Sequence, residues 1–406
     1  MPKPGMHTGQ EAGDDLNFAM SEKAKPLFDA VVKFIREEVE PMQEKFYALG
    51  ENRPDRWDYA PGQLDLLEAT KAKAKAAGLW NFFLPNAETG EGLSNLDYAY
   101  IAVELGKVPL ASECLNCSAP DTGNMEVLEK VGTPEQKKKW LEPLLKGEIR
   151  SAYAMTEPGV ASSDAKNIQT RAELVGNEWV INGEKYYISG AGDPRCKIMI
   201  TMVKTNPNAD TYKQQSQILV PIDAPGVEIV GPMEVFGQDD APHGHMHIRF
   251  TDVRVPKDNL VGAQGGAFKQ TMRQLEHERG GIDRLVSNYA LYKMALERAD
   301  LSDPRVRQEV ASLETGYRIG RILVIREVLR QAPAGFSAAT KCFCTEHEQR
   351  VAQFVAKTFG LEATLWSDVT AGLMYGPGYT IMGGTSNVMR NILGERVLGL
   401  PKEPGK

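Results

Sequence analysis

The chain has 406 residues, a length that accommodates roughly two to three domains of about 150 residues each. Hydrophobic residues make up 42% of the sequence and charged residues 25%, a balance typical of a globular protein rather than a disordered or collagen-like chain. The net charge of -7 leaves no excess of cations for phosphates, so neither nucleic-acid binding nor attachment to an anionic membrane is expected.

The N-terminal segment carries acidic and polar residues where a secretory signal would have its apolar stretch. No later apolar run approaches the roughly 18 residues that a membrane-spanning helix needs. The five cysteines are an odd number in a long chain and indicate reduced thiols rather than a disulfide framework. The sequence therefore predicts a cytoplasmic protein.

Helical periodicity dominates from Ser21 to about Gly147. Apolar residues recur at three- and four-residue spacing, as in the segment from Leu27 to Ile35. Near the end of this region, Thr133 and Gln136 offer a capping box around a proline at the first helical position. We therefore predict an all-α N-terminal domain over residues 1–149.

Strand patterns replace the helical ones between residues 150 and 262. Short runs rich in β-branched and aromatic residues alternate with glycine, asparagine, aspartate or proline. Gly176 and Asn177 form a two-residue hairpin signal between two of these runs. The sequence predicts a middle β domain, either a barrel or a sandwich.

Helical periodicity returns after Leu260 and continues to Leu398. A long helix is predicted to start at Asp303-Pro304, and Gly335-Phe336 separates it from the next. The expected fold class is α+β, with helices, strands and helices in that order and a helical C-terminal domain over residues 263–406.

Two cysteine pairs raise the question of a zinc site. Cys114 and Cys117 form a CxxC motif, and Cys342 and Cys344 form a CxC motif. Neither pair has a histidine at zinc-finger spacing nearby. Buried structural cysteines are therefore favoured over metal ligands.

Three histidines, His243, His245 and His247, alternate along one predicted strand and should project from the same face. Such spacing permits chelation, but no carboxylate or fourth ligand is evident near them in the sequence. A solvated or hydrogen-bonded strand face is therefore favoured, and no metal site is predicted.

Three segments, in chain order, carry a family resemblance. They are AYAMTEP at residues 152–158, continuing through ASSD at 161–164, FTDVRVP at residues 250–256, and GGTSN at residues 383–387. They resemble the flavin-contacting signature, the exit from the β domain and the C-terminal motif of acyl-CoA dehydrogenases. The resemblance covers nearly the whole chain, and residues 116–165 are most similar to the group called family members ten and eleven.

The resemblance implies a helical domain, a β domain and a C-terminal four-helix bundle that together bind FAD. It implies α,β-dehydrogenation of an acyl-CoA thioester to the trans-2-enoyl-CoA, as in fatty acid β-oxidation. A carboxylate would remove the α proton while the β hydride passes to flavin N5. It further implies an electron transfer flavoprotein as electron acceptor and a homodimer or homotetramer.

The family's flavin contacts carry over to positions in all three motifs and in the segment KYYIS. These positions are Tyr153, Met155, Thr156, Ser162, Tyr187, Ser189, Thr385 and Asn387. The loop after Pro158 is one residue longer than the common pattern, so either Ser162 or Ser163 falls where flavin phosphate or the CoA arm is contacted. Counting back from Asp164 favours Ser163 for the substrate.

The family's flavin contacts from the neighbouring subunit are altered in this sequence. The usual arginine is absent and only Arg298 and Gln308 stand near its place, and the usual glutamine and double glycine are missing around residues 358–360. These departures weaken the expectation that a second subunit completes the site.

The catalytic base is expected at Glu278. Many relatives place a carboxylate immediately before the Gly-Thr of the C-terminal motif, but this position is Gly383 here, and glycine cannot accept a proton. Isovaleryl- and long-chain-type enzymes instead use a glutamate directly before an arginine, which matches Glu278-Arg279. The alternative is that these residues belong to a solvated charged helix face.

The resemblance also assigns substrate contacts. The backbone N–H of Gly383, next to Gly384, would donate to the thioester oxygen. Arg279 would hold the CoA arm or orient Glu278, and pairing with Asp283 is a structural alternative.

Two other functions remain open at the level of sequence. An acyl-CoA oxidase differs only in whether oxygen reaches the reduced flavin. A non-catalytic subunit of a hetero-oligomeric dehydrogenase would keep the fold while losing cofactor contacts.

Overall fold

Helices occupy both ends of the chain and strands its middle in the computed structural model, which describes residues 18–51, 53, 55–271, 285–329, 331–333 and 335–402. The predicted fold class, with helices flanking a β region, is confirmed. Among these described residues, no helix is both long enough and apolar enough to cross a membrane.

The N-terminal helices pack around one apolar core that includes Val31, Leu67 and Ile101. The capping box predicted at Thr133 is present: the Thr133 hydroxyl oxygen accepts the Gln136 backbone N–H at 3.2 Å, and the Gln136 side-chain Oε1 accepts the Thr133 backbone N–H at 3.2 Å. The helices are α1 (Ala24–Phe34), α2 (Glu40–Gly50), α3 (Gln63–Ala76), α4 (Asn95–Gly106), α5 (Ala111–Cys114), α6 (Asp121–Val131), α7 (Pro134–Gln136) and α8 (Glu142–Leu145).

The strands form one mixed sheet in the order β6-β7-β3-β2-β4-β5-β8, with β1 paired in parallel to β4. The predicted hairpin is present, because β2 and β3 pair antiparallel up to Val175 opposite Glu178. The strands are β1 (Arg150–Ala154), β2 (Arg171–Val175), β3 (Glu178–Ser189), β4 (Cys196–Lys204), β5 (Gln215–Pro221), β6 (Val227–Met233), β7 (His245–Pro256) and β8 (Leu260–Val261).

Both faces of β4 are covered. Ile198 and Ile200 pack into the core of the N-terminal helices, whereas Met199 and Val203 lie in the core of the β region. This explains why the stretch from Ile198 to Val203 is apolar apart from Thr201 instead of alternating with polar residues. The sheet is therefore held rigidly against the N-terminal helices.

The C-terminal helices pack on one another and on α4, where Ala102 belongs to the same apolar cluster as Leu285 and Val324. The predicted start of the long helix is confirmed, because the Asp303 carboxylate accepts the Arg305 N–H at 2.8 Å. The helices are α9 (Tyr289–Arg298), α10 (Pro304–Val328), α11 (Ser337–Phe359), α12 (Asp368–Tyr379) and α13 (Ser386–Ile392).

The five cysteines are all buried and free of disulfides. Burial raises the pKa of the Cys114 and Cys117 thiols to about 12, so both stay protonated and unreactive at neutral pH. Within the described ranges, no group of three or more histidine, cysteine or acidic side chains is arranged to hold a metal ion.

The prediction that three histidines share one strand face is wrong. β7 begins at His245, and His243 lies in the preceding turn. Carboxylates that the sequence pattern did not reveal face two of the rings: Asp193 lies 2.9 Å from Nδ1 of His243, and Glu184 lies 2.9 Å from Nε2 of His247. Each ring is therefore held by a partner from a distant segment.

A buried ion network joins the N-terminal helices to the sheet. Its centre is Glu113 in α5, whose carboxylate lies 2.6 Å from Arg195, 2.9 Å from Arg150 and 3.4 Å from Lys71. Although burial alone would raise the pKa of Glu113, the neighbouring cations hold it well below its usual range. The carboxylate is therefore ionised at neutral pH and is shared by α3, β1 and the turn before β4.

We expect Glu113→Gln to destabilise the protein by about 3–5 kcal/mol, because one buried and two largely buried cations lose their shared anion. Glu178→Gln is the matched control, since Glu178 forms an exposed pair with Arg254 at 3.4 Å and such pairs contribute about 0–1 kcal/mol. Urea-induced unfolding monitored by circular dichroism measures both. Equal midpoints for the two variants would contradict a structural role of the Glu113 network.

Candidate functional site

The loop that follows β1 is bonded directly to the end of β3. The Tyr186 N–H donates to the Thr156 carbonyl oxygen at 2.9 Å, and the Thr156 hydroxyl donates to the Tyr186 carbonyl oxygen at 2.6 Å. These two bonds place Thr156 and Met155 beside Tyr187. The first predicted motif and the KYYIS strand segment therefore form one surface.

An ion pair beneath this surface holds the loop in place. The Lys185 ammonium is fully buried and donates to the Met155 carbonyl oxygen and to the Glu157 carboxylate, both at 2.8 Å. The Glu157 carboxylate also accepts the N–H groups of Gln169 at 2.6 Å and Thr170 at 2.9 Å. One carboxylate therefore organises both ends of the loop.

The charge states of this pair follow from its surroundings. Burial lowers the pKa of Lys185 to about 8, although Glu157 opposes that effect. Burial alone would raise the pKa of Glu157, but the Lys185 ammonium and the two N–H donors hold it below its ordinary value. Both groups are therefore charged at neutral pH.

Sequence reasoning missed Lys185 and Glu157 as site residues. The available signal was that Lys185 follows Trp179 and Ile181 on the inward-facing side of β3, where a lysine needs an anionic partner. The identity of that partner depends on tertiary structure.

Tyr187 presents an aromatic ring at the end of β3. Its side chain is 41% exposed, its hydroxyl donates to the Glu234 carbonyl oxygen at 3.2 Å, and its φ is 53°. A positive φ is costly for a bulky residue and is found mainly where the surroundings impose it, often at functional sites. The ring therefore offers a fixed apolar face to a planar ligand.

Ser189 lies two residues further along β3, and its hydroxyl oxygen is 2.9 Å from Nδ1 of His245. Thr156, Tyr187 and Ser189 thus converge from two segments of chain. An aromatic face flanked by hydroxyl groups has the chemistry that an isoalloxazine ring would need. The residues present fit a flavin.

The two loop serines have different environments. Ser162 is buried, and its hydroxyl accepts the Glu157 N–H at 3.0 Å and lies 3.2 Å from the Glu157 carbonyl oxygen. Ser163 is exposed. The accessible hydroxyl is therefore that of Ser163, which supports the preference for Ser163 as the ligand contact.

Tyr153 uses its hydroxyl inside the protein. The oxygen lies 2.8 Å from the Thr271 hydroxyl and accepts the Gln217 amide at 3.0 Å. This arrangement ties β1 and β5 to the segment that follows β8. A cofactor contact at Tyr153 would therefore come from its backbone rather than its phenol.

The C-terminal motif forms the turn between α12 and α13. The Thr385 hydroxyl caps α13 by accepting the Val388 N–H at 3.2 Å, and the Asn387 side chain is exposed. Gly383 and Gly384 have φ of 64° and 96°, a region that disfavours side-chain-bearing residues. A glutamate at position 383 would strain this turn, consistent with a base elsewhere.

The predicted base Glu278 and its neighbour Arg279 lie outside the described residues. Arg298, one of two residues near the place of the family's arginine, is already engaged: it pairs with Glu362 at 2.6 Å and stacks over the Phe359 ring at 4.2 Å. Within this chain, Arg298 therefore has a structural role.

Comparison with known families gives a consistent result along the chain. Family models described as the N-terminal, middle and C-terminal domains of acyl-CoA dehydrogenase match residues 21–148, 152–253 and 266–398. Together they account for most of the sequence.

Individual relatives of the chain are also named as acyl-CoA dehydrogenases. Acyl-CoA dehydrogenase family member 10 from Mus musculus is 47% identical over 319 residues, covering 72% of this chain and 29% of that protein. FadE2 from Mycobacterium tuberculosis, assigned as an acyl-CoA dehydrogenase, is 44% identical over 325 residues, covering 79% of this chain and 74% of that protein. The chain thus spans less than a third of the length of the first relative.

A solved structure from Mycobacterium abscessus, of a protein assigned to the acyl-CoA dehydrogenases, superposes with a TM-score of 0.86 at 34% identity. The match covers 94% of this chain and 99% of the other.

Lys185→Met should destabilise the protein by about 3–5 kcal/mol, because the Glu157 carboxylate stays buried without its cation. The double variant Lys185→Met with Glu157→Gln should recover part of that loss, since no buried charge remains. Lys166→Met is the matched control, because Lys166 pairs with Asp164 at 3.0 Å on the partly exposed part of the same loop. Urea unfolding midpoints test this; a Lys185 variant as stable as the Lys166 variant would contradict it.

Proposed function

The chain belongs to the acyl-CoA dehydrogenase family, and on that premise we propose that it catalyses FAD-dependent α,β-dehydrogenation of an acyl-CoA thioester to the trans-2-enoyl-CoA. The observation that carries this proposal is the surface formed by Thr156, Tyr187 and Ser189 at the end of β3. These residues come from two motifs of the chain and meet in one place with the chemistry that a flavin requires.

The proposed FAD site uses the family positions in the β region and the C-terminal turn. When bound, the flavin would supply the acceptor for the substrate's β hydride. The surface at the end of β3 would orient the ring, while the exposed Ser163 hydroxyl would contact the CoA arm of the substrate. The remaining proposed flavin contacts are Tyr153 and Met155 through their backbone, Ser162, Thr385 and Asn387.

Glu278 is the proposed general base, which takes the proton from the α carbon. The conformation of Gly383 supports this assignment, since a positive φ makes position 383 unfavourable for a carboxylate. The Gly383 N–H, next to Gly384, would donate to the thioester oxygen and stabilise the developing enolate. Arg279 would hold the CoA arm.

Electrons would leave the reduced enzyme through an electron transfer flavoprotein, and the reaction would belong to fatty acid β-oxidation in the cytoplasm. An acyl-CoA oxidase would instead pass them to oxygen. Formation of hydrogen peroxide during turnover distinguishes the two, since a dehydrogenase produces little of it.

The central test uses Glu278→Gln. The purified chain should be yellow, or become yellow with added FAD, and acyl-CoA should bleach the flavin absorbance. Glu278→Gln should bind FAD and acyl-CoA normally but reduce the flavin roughly a hundred- to ten-thousand-fold more slowly, because the amide preserves shape and cannot accept a proton.

Glu276→Gln is the control for this experiment, since Glu276 lies two residues away and has no proposed role. Stopped-flow absorbance with a panel of acyl-CoA chain lengths measures both variants. Near wild-type flavin reduction by Glu278→Gln, with loss in Glu276→Gln, would overturn the assignment of the base. A protein that never binds FAD would overturn the proposed function.

We also propose that the chain assembles as a homodimer or homotetramer through its C-terminal helices. Large apolar side chains are exposed on α10, where Ile322 is 54% exposed, and after α11, where Leu361 is 86% and Trp366 74% exposed. Burial of these large apolar side chains against a second copy of the chain would supply the apolar core that a subunit interface needs.

Sedimentation velocity at micromolar concentration should therefore show a dimer or tetramer. Ile322→Asp should shift the distribution towards monomer, because burying an unpaired carboxylate in an interface is costly. Val230→Asp, an exposed apolar position on the edge strand β6, is the control. A wild-type monomer would contradict the proposal.

A further inference from the structure

His245 is used by nothing in the proposed mechanism, yet it lies directly behind Ser189. Its Nδ1 is 2.9 Å from the Ser189 hydroxyl oxygen and its Nε2 is 2.6 Å from the Tyr375 hydroxyl. The rings of His245 and Tyr375 are nearly parallel, with 16° between their planes. A continuous chain of polar atoms therefore runs from α12, through β7, to the end of β3.

The imidazole in the middle of this chain is uncharged at neutral pH. His245 is buried, and burial lowers its pKa, although the nearby Asp240 opposes that shift. A neutral imidazole carries one N–H donor and one acceptor nitrogen. The two hydrogen bonds of His245 therefore have one of two arrangements. Either Tyr375 donates to His245 and His245 donates to Ser189, or Ser189 donates to His245 and His245 donates to Tyr375.

The chemistry of the two hydroxyls favours the first direction. A phenol, with a pKa of about 10, is a better donor than an aliphatic alcohol, and the Tyr375 contact at 2.6 Å is the shorter of the two. The Tyr375 hydroxyl also lies 3.8 Å from the Met382 sulfur, but a thioether is a weak acceptor. Tyr375 therefore donates to Nε2, and the Nδ1–H of His245 donates to the Ser189 oxygen. The Ser189 proton is left to point away from His245.

We propose that His245, supported by Tyr375, is a positioning residue that makes the Ser189 hydroxyl a hydrogen-bond donor towards the flavin site. This rests on the proposed function, because Ser189 is a proposed flavin contact. The ligand group that it recognises is an acceptor nitrogen or oxygen at the edge of the ring. Because Tyr375 belongs to α12, the position of a C-terminal helix is coupled to the donor on β3.

The test is a double-mutant cycle between Tyr375 and Ser189. Tyr375→Phe removes only the hydroxyl and keeps the stacked ring, and Ser189→Ala removes the proposed donor. Each should raise the dissociation constant for FAD roughly 3- to 10-fold, the effect of one hydrogen bond. The double variant should bind FAD no more weakly than Ser189→Ala alone, because Tyr375 acts through Ser189.

Ser189→Thr and His247→Gln complete the design. Ser189→Thr keeps a hydroxyl and should remain sensitive to Tyr375→Phe. His247 lies two residues after His245 on β7 and contacts Glu184 rather than Ser189. His247→Gln should therefore leave FAD affinity unchanged. FAD titration by fluorescence quenching measures affinity, and a shift of the flavin absorption band reports the ring contact.

Additive effects of Tyr375→Phe and Ser189→Ala would overturn the proposal, as would wild-type FAD affinity in Tyr375→Phe. A wild-type protein that binds FAD but is not reduced by any acyl-CoA would overturn the proposed function alone. A wild-type protein that does not bind FAD would overturn both.

Discussion

The candidate site depends on one buried ion pair. Lys185 and Glu157 carry full charges inside the β region and lie 2.8 Å apart. Because either charge would be costly alone in such a place, closure of the loop after β1 over β3 stabilises the fold. That closure brings Thr156 next to Tyr187 and exposes Ser163. The pair thereby determines where the candidate site residues lie.

Rigidity of the surrounding scaffold has a similar origin. Both faces of β4 are covered by apolar side chains. The Glu113 carboxylate, in turn, bonds to cations from α3, β1 and the turn before β4. Strained backbone such as that of Tyr187 persists only where surrounding contacts overdetermine it. The end of β3 is therefore a fixed surface, which is what orientation of a planar cofactor requires.

The C-terminal helices contact the residues behind the end of β3 through side-chain hydrogen bonds. Tyr375 reaches His245, and His245 reaches Ser189. A direct consequence is that the polar chemistry at the end of β3 depends on a helix that is remote in sequence. The positive φ of Gly383 and Gly384 in the following turn gives a physical reason why the carboxylate of many relatives has no counterpart there.

The sequence by itself determined the features that depend on near neighbours. The order of helices and strands follows from hydrophobic periodicity, and the Thr133 capping box and the Gly176-Asn177 hairpin follow from chemistry within a few residues. Motif resemblance identifies Thr156, Tyr187 and Ser189 as candidates, but it does not show that they lie close together. Only the tertiary structure decided which groups face one another: Glu157 meets a lysine 28 residues away, and His245 meets a tyrosine 130 residues away. The reason is that periodicity indicates which side of a helix or strand is buried but not which side chains of other elements pack against it. The wrong prediction for the three histidines and the failure to predict the role of Lys185 both follow from this limit.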